Sequence, residues 1–187
     1  MKVRIGISAR HVHLCEKDYK ELFGDEELTK YKDLNQPGQF ATNEKVNLIT
    51  EKGRFDNVRI IGPLRSYTQV EISKTDSYKL GLNPPVRNSG DLENSENIYI
   101  EYKDKKILVN NCCIIANRHI HIKTSDLESY GFKNNQIVKL KVEGIKGGIL
   151  DNVTIKATDE AYFEVHLDVD DANANLITDG DFGEIIV

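Results

Sequence analysis

The sequence predicts a mainly β protein with a few short helices, built as two homologous halves. Short alternating apolar runs dominate the chain, turn residues punctuate them, and one histidine motif occurs twice. Many short strands with few helices favour barrels or sandwiches over a doubly wound sheet.

In chain order, Val3, Ile5 and Ile7 mark a first strand, and a helix follows over 16–23. After the turn Asn35-Gln36-Pro37-Gly38, strands are marked by Val46, Leu48 and Ile49, by Phe55, Val58, Ile60 and Ile61, and by Val70 and Ile72. A second helix is expected over 75–80, and the polar stretch 88–97 reads as a loop. Ile98 and Ile100, Ile107 and Val109, and Ile114 and Ile115 mark three further strands. A helix over 125–130 is followed by strands at Val138, Leu140 and Val142, at Val153 and Ile155, and at Phe163, Val165 and Leu167. A helix over 170–176 precedes a last strand at Ile185 to Val187.

Two echoes carry the duplication. Arg10-His11-Val12-His13-Leu14 recurs as Arg118-His119-Ile120-His121-Ile122, an offset of 118 − 10 = 108, and Asp18 falls on Asp126. Asp56-Asn57-Val58 recurs as Asp151-Asn152-Val153, an offset of 151 − 56 = 95. At that second offset Val70-Glu71-Ile72 falls on Val165-His166-Leu167, and Asp76 on Asp171.

Composition narrows the function classes. Of 187 residues, 39% are hydrophobic and 29% charged, enough apolar material for a core and too much for long-range disorder. A net charge of −5 argues against non-specific nucleic-acid binding, and the absence of Trp weakens base stacking. No apolar run approaches the roughly 18–20 residues of a membrane span. The strand-like start lacks a signal peptide's apolar block, and three sparse cysteines, Cys112 and Cys113 adjacent, suit a reducing compartment. The expectation is a cytoplasmic protein. Neither phosphate-loop nor dinucleotide-binding glycine patterns occur, nor a nucleophile elbow.

The histidines say more. On a strand, His-X-His puts both imidazoles on one face, with Cβ atoms about 6–7 Å apart, close enough to converge on one ion. On a helix the pair would diverge. The repeat offers a third donor to each pair, so the predicted metal sites are His11, His13 and Glu71, and His119, His121 and His166. All five histidines of the chain are thereby used. Three protein donors with room for solvent are the pattern of a catalytic metal, and imidazole with carboxylate favours zinc, while cobalt, nickel, manganese or iron would also fit. Cys15, two residues past His13, packs more readily than it ligates. Arg10 and Arg118 face away from the imidazoles and suit structural ion pairs better than substrate contact. Arg65, after the Gly62-Pro63 turn, either delivers a guanidinium fork to an anion or is a solvated strand-end residue. Arg87 lies in a rigid polar segment of the kind that carries binding groups.

Those motifs, with Asp33-Leu34-Asn35-Gln36-Pro37-Gly38-Gln39-Phe40-Ala41, Gly62-Pro63-Leu64-Arg65-Ser66-Tyr67-Thr68-Gln69-Val70-Glu71-Ile72-Ser73 and Pro84-Pro85-Val86-Arg87-Asn88-Ser89-Gly90-Asp91-Leu92, resemble the phosphate propanoyltransferases, the PduL-type phosphotransacylases. The match runs in order over nearly the whole chain. The resemblance implies reversible acyl transfer between coenzyme A and inorganic phosphate. It implies two tandem six-stranded β-barrel domains with a dimetal site, usually zinc, between them, and it points to a homodimer. The family's ligand pattern falls on the same two triads, its phosphate-binding arginine on Arg65, and a serine near the coenzyme A nucleotide on Ser89. Domains are expected at 9–117 and 118–187, the second completed by strand 1–8, which crosses over in this family. No amphipathic extension of the microcompartment-targeting kind precedes the first strand, which favours a general role such as acetyl-CoA to acetyl phosphate.

Three rival readings carry their own discriminants. A mononuclear iron oxygenase would use His11, His13 and Glu71 alone and consume oxygen. A dimetal thioesterase or phosphoesterase would use water as acceptor. A metal- or coenzyme A-binding module would turn nothing over.

Overall fold

The computed structural model describes residues 1–187, which divide into two compact units, one of Ala9–Ala116 and one of Met1–Ser8 with Asn117–Val187. The chain opens with β1 (Lys2–Ser8), then runs through β2 (His11–His13), α1 (Glu16–Phe23), β3 (Lys30–Asp33), β4 (Phe40–Ile49), β5 (Arg54–Gly62) and β6 (Gln69–Glu71). Next come α2 (Lys74–Leu80), β7 (Val86–Arg87), β8 (Glu96–Tyr102) and β9 (Lys105–Ala116). The remainder is β10 (His119–Lys123), a 3-10 turn (Thr124–Asp126), α3 (Leu127–Tyr130), β11 (Ile137–Val142), β12 (Gly148–Thr158), β13 (Glu164–Asp168), α4 (Val169–Asn175) and β14 (Phe182–Ile186). No helix is long and apolar enough to cross a membrane.

Each unit closes a six-stranded barrel. In one, the circuit is β1-β13-β10-β12-β11-β14. In the other, β8 pairs with both β4 and β9, so β4-β5-β2-β6-β9-β8 also returns on itself, with β3 and β7 appended at its margins. The two circuits correspond strand for strand. β2·β5 and β10·β12 are parallel, β2·β6 and β10·β13 antiparallel, and β6·β9 and β13·β1 parallel. In this correspondence β9 of one barrel answers to β1 of the other. The strand that leads each half of the sequence therefore closes the barrel of the other half.

Closure leaves few sheet edges, and each barrel fills its interior with alternate side chains. Val12, Leu48, Ile60, Val70 and Ile100 fill one core, and Ile5, Ile120, Leu140, Ile155 and Val165 the other; all are fully buried. Each such side chain contributes about 1.5–3 kcal/mol relative to exposure. Because Val12 and Ile120 point inward, the histidines flanking them point outward, and the core thereby orients the metal-site candidates.

The helices start where the repeat says they should. Ser73 caps α2, accepting from the Asp76 N–H at 3.1 Å while the Asp76 carboxylate reaches back to the Ser73 N–H. Gly81, at φ 64°, closes α2 in the left-handed region, where a side chain would be strained. Asp168, at the position equivalent to Ser73, caps α4 by accepting from the Asp171 N–H at 2.8 Å. Asp76 then binds Arg10 at 2.7 Å, and Asp171 accepts from Nε and Nη2 of Arg118, one edge of its guanidinium, at 2.7 and 2.6 Å. Both arginines make structural ion pairs, and each pair ties a His-X-His strand to the helix that follows the third donor.

The structure adds to the sequence reading in three places. β3 is an exposed strand of alternating Lys, Tyr, Lys and Asp with no apolar period to signal it. β7 has two residues and pairs with β9 alone. β9 is one twelve-residue strand where the apolar pattern marked two, because exposed Asn110 and Asn111 fall where its register against β8 shifts, between Val109 and Cys113, and the strand continues beyond that irregularity.

Candidate functional site

The outward face of β2 and β6 gathers the first triad. His11 lies directly opposite Glu71 and His13 opposite Gln69 in an antiparallel pair. Nε2 of His11 stands 3.2 Å from Nε2 of His13 and 3.5 Å from Oε2 of Glu71. The second triad repeats this arrangement on β10 and β13. His119 lies opposite His166, and Nε2 of His119 is 3.1 Å from Nε2 of His121. The three rings stand with centroids 4.7–5.2 Å apart. In each triad all donor atoms fall within 4.8 Å of one another.

The chemistry of these donors fits a divalent cation. Nδ1 of His11 is 2.9 Å from the Ala9 carbonyl and Nδ1 of His13 is 3.0 Å from the Ile61 carbonyl. A carbonyl only accepts, so both Nδ1 atoms carry the proton and both Nε2 atoms present lone pairs. Two lone pairs at 3.2 Å repel unless a cation lies against both. A proton is disfavoured there, since burial holds His13 well below the usual imidazole range, aided by the neighbouring His11 and the Arg65 guanidinium. His119 is oriented the same way, its Nδ1 2.8 Å from the Asn117 carbonyl. Burial, with His119 and His166 nearby, pushes His121 down to about 2.

Arg65 and Ser89 are brought together. Nη1 of Arg65 donates to Oγ of Ser89 at 3.2 Å, and the guanidinium lies over the Tyr67 ring at 5.9 Å. The Arg65 N–H donates to the Leu14 carbonyl at 2.9 Å, anchoring the segment next to β2. Arg87 instead braces its own loop, donating to the Glu93 carbonyl and pairing with Asp91. Cys15 bridges to Arg65 through the backbone and joins neither triad. Cys112 and Cys113 are buried, and burial pushes the Cys112 thiol up to about 12 and the Cys113 thiol up as well, so neither offers a thiolate at neutral pH.

Sequence reasoning missed two residues at these sites. Gln69, fully buried, donates from Nε2 to Oε1 of Glu71 at 2.6 Å and to Oγ of Ser89 at 3.0 Å, and its Oε1 accepts from the Gly90 N–H at 2.8 Å. Glu164, 2% exposed, accepts from Nε2 of His166 at 2.9 Å and pairs with Arg4 of β1. Gln69 and Glu164 are equivalents at the offset of 164 − 69 = 95. The signal was present: each stands two residues before the third donor, on the same face of its strand.

Residues 4–178 match the family described as phosphate propanoyltransferase. Relatives of that name resemble the chain over nearly its full length. The protein from Thermotoga maritima is 46% identical over 184 residues, covering 97% of this chain and 88% of the relative. That from Priestia megaterium is 48% identical over 182 residues, 97% and 84% of the two chains. That from Clostridioides difficile is 40% identical over 185 residues, 98% and 88%.

Proposed function

The chain belongs to the phosphate propanoyltransferase family, and on that premise we propose that it is a phosphate acyltransferase running acyl-CoA + phosphate = acyl phosphate + CoA. An oxygen of phosphate attacks the thioester carbonyl carbon, the new C–O bond replaces C–S, and coenzyme A leaves as thiolate. The observation that supports this most directly is the hydrogen-bonded run from Arg65 through Ser89 and Gln69 to Glu71, which sets an anion-binding fork and a metal-site candidate in one network.

His11, His13 and Glu71 would hold one divalent ion and His119, His121 and His166 another, with zinc best suited to the donor set. Ions so held supply Lewis acidity toward phosphate and carbonyl oxygen, and zinc accepts a thiolate readily. Arg65 presents its guanidinium to phosphate, and Ser89, accepting from Arg65 and from Gln69, holds that fork in register. Ser89 lies in the segment expected to meet the coenzyme A nucleotide. Two reactants held in near-attack geometry need no acylated side chain, in keeping with Cys112 and Cys113, which are buried and protonated. Ternary-complex kinetics follow from this.

The test is coenzyme A release from acetyl-CoA and propanoyl-CoA, with and without inorganic phosphate, in zinc-loaded and chelated protein. Release that requires both phosphate and metal, with acyl phosphate formed, is the expected result. Release without phosphate would make the protein a thioesterase and overturn the proposal. The ratio of the two substrates reports the acyl preference.

A further inference from the structure

We infer that Glu164 and Gln69 are positioning residues for the two metal sites, occupying one position of the repeat with chemistry matched to the donor each one serves. The inference rests on the metal reading above and extends each site by the residue two positions before its third donor.

The match is one of donor to acceptor. Glu71 is a carboxylate and only accepts; Gln69 offers it an amide N–H at 2.6 Å on Oε1, while Oε2 faces His11. His166 is an imidazole whose second nitrogen must be placed; Glu164 takes the Nε2–H at 2.9 Å, leaving the Nδ1 lone pair for an ion. Exchanging the two side chains would set carboxylate against carboxylate at Glu71. Each position is also braced from a third direction. Gln69 is held by Ser89 and the Gly90 N–H, and Glu164 by Arg4.

Burial argues for a role beyond packing. A carboxylate 2% exposed carries a desolvation cost that an apolar side chain would not. The neighbouring strand is shaped around it. Gly6 of β1 stands beside His166 in the parallel pairing, and a Cβ there would sit 2.9 Å from Cδ of Glu164 and 3.1 Å from Cδ2 of His166. Only glycine leaves this pair undisturbed. β1 thus bears on the Glu164–His166 pair twice, through Arg4 against Glu164 and through the absent side chain of Gly6.

The experiment is a zinc titration of the metal-free full-length protein against a chromophoric chelator, paired with the absorption spectrum of the cobalt form. Two equivalents bound by the unaltered protein are expected, and fewer would overturn the metal reading itself. In Glu164→Leu one equivalent should weaken by roughly 10- to 100-fold while the other is unchanged. Glu164→Gln, which keeps shape and an acceptor but loses charge, should weaken the same equivalent less and shift the cobalt absorption. Gln69→Leu should weaken the other equivalent, and the double variant both. Two tight equivalents in Glu164→Gln with an unaltered cobalt spectrum would overturn the inference while leaving the metal reading intact. Equal weakening of both equivalents in either single variant would also overturn it, since that is a general structural effect. Should Glu164→Leu fail to fold, Glu164→Gln decides alone.

Discussion

An imidazole chooses its reactive nitrogen through the partner of the other one. Backbone carbonyls at Ala9, Ile61 and Asn117 take the Nδ1 protons of His11, His13 and His119, so three donors present Nε2 before any ion arrives. Arg65 is placed by similar means, with its guanidinium steadied by Ser89 and lying over Tyr67. Arg65→Ala should raise the KM for phosphate and lower kcat/KM roughly 10- to 100-fold, the equivalent of losing about 1.5–3 kcal/mol of charged hydrogen bonding. Its zinc content should stay at the unaltered level. Steady-state kinetics with phosphate varied, alongside metal analysis, checks both, and joint loss of zinc and activity would make Arg65 structural.

At the scale of elements, α1 shows how a helix can be capped without a capping side chain. Cys15 makes no side-chain cap; its N–H donates to Oγ1 of Thr68 at 3.0 Å, and Thr68 in turn donates to Oδ2 of Asp18 at 2.5 Å. The helix then stacks Tyr19 on Phe23 and Phe23 on Tyr102 of β8, with centroids 4.5 and 3.9 Å apart. The Tyr19 hydroxyl is buried with no hydrogen-bond partner. An unmet buried hydroxyl costs on the order of 1 kcal/mol or more, so Tyr19→Phe should leave the unfolding midpoint unchanged or raise it. Differential scanning calorimetry measures this, and a fall of several degrees would reveal a partner for the hydroxyl. The bounds of α1 were legible because its apolar face repeats with helical period. β3 and β7 were not, because an exposed or two-residue strand is defined by its neighbour's hydrogen bonds and carries no pattern of its own.

For the whole molecule, the exchange of leading strands makes a prediction about connectivity. β8 and β9 form a hairpin that closes between Tyr102 and Lys105 through Lys103 and Asp104. β14 and β1 run antiparallel in the equivalent place, with Lys2 opposite Glu184 and the Met1 amino group 3.4 Å from the Ile185 carbonyl. A covalent turn joins the first pair, and none joins the second. A permuted chain that starts at Ala9 and carries residues 1–8 after Val187, joined by a short turn, should therefore fold with both barrels closed. Circular dichroism, cooperative thermal unfolding and a zinc count equal to that of the unaltered chain are the expected outcomes. Loss of one zinc equivalent would show that β1 must enter its barrel through its present link to β2.

The sequence by itself determined that the protein is mainly β, that it is duplicated, and which six side chains form the metal-site candidates. Period-two alternation sends His11 and His13 to one face, and the repeat supplies Glu71 and His166 as third donors. These are local or periodic properties, and a chain writes them directly. Only the tertiary structure decided that Arg4 meets Glu164 across 160 residues, that Gly6 must be small, and that Gln69 spans from Glu71 to Ser89. Those relations arise where strands distant in sequence become neighbours in a closed barrel. The identity of the neighbour is set by barrel closure, which no spacing along a single strand records.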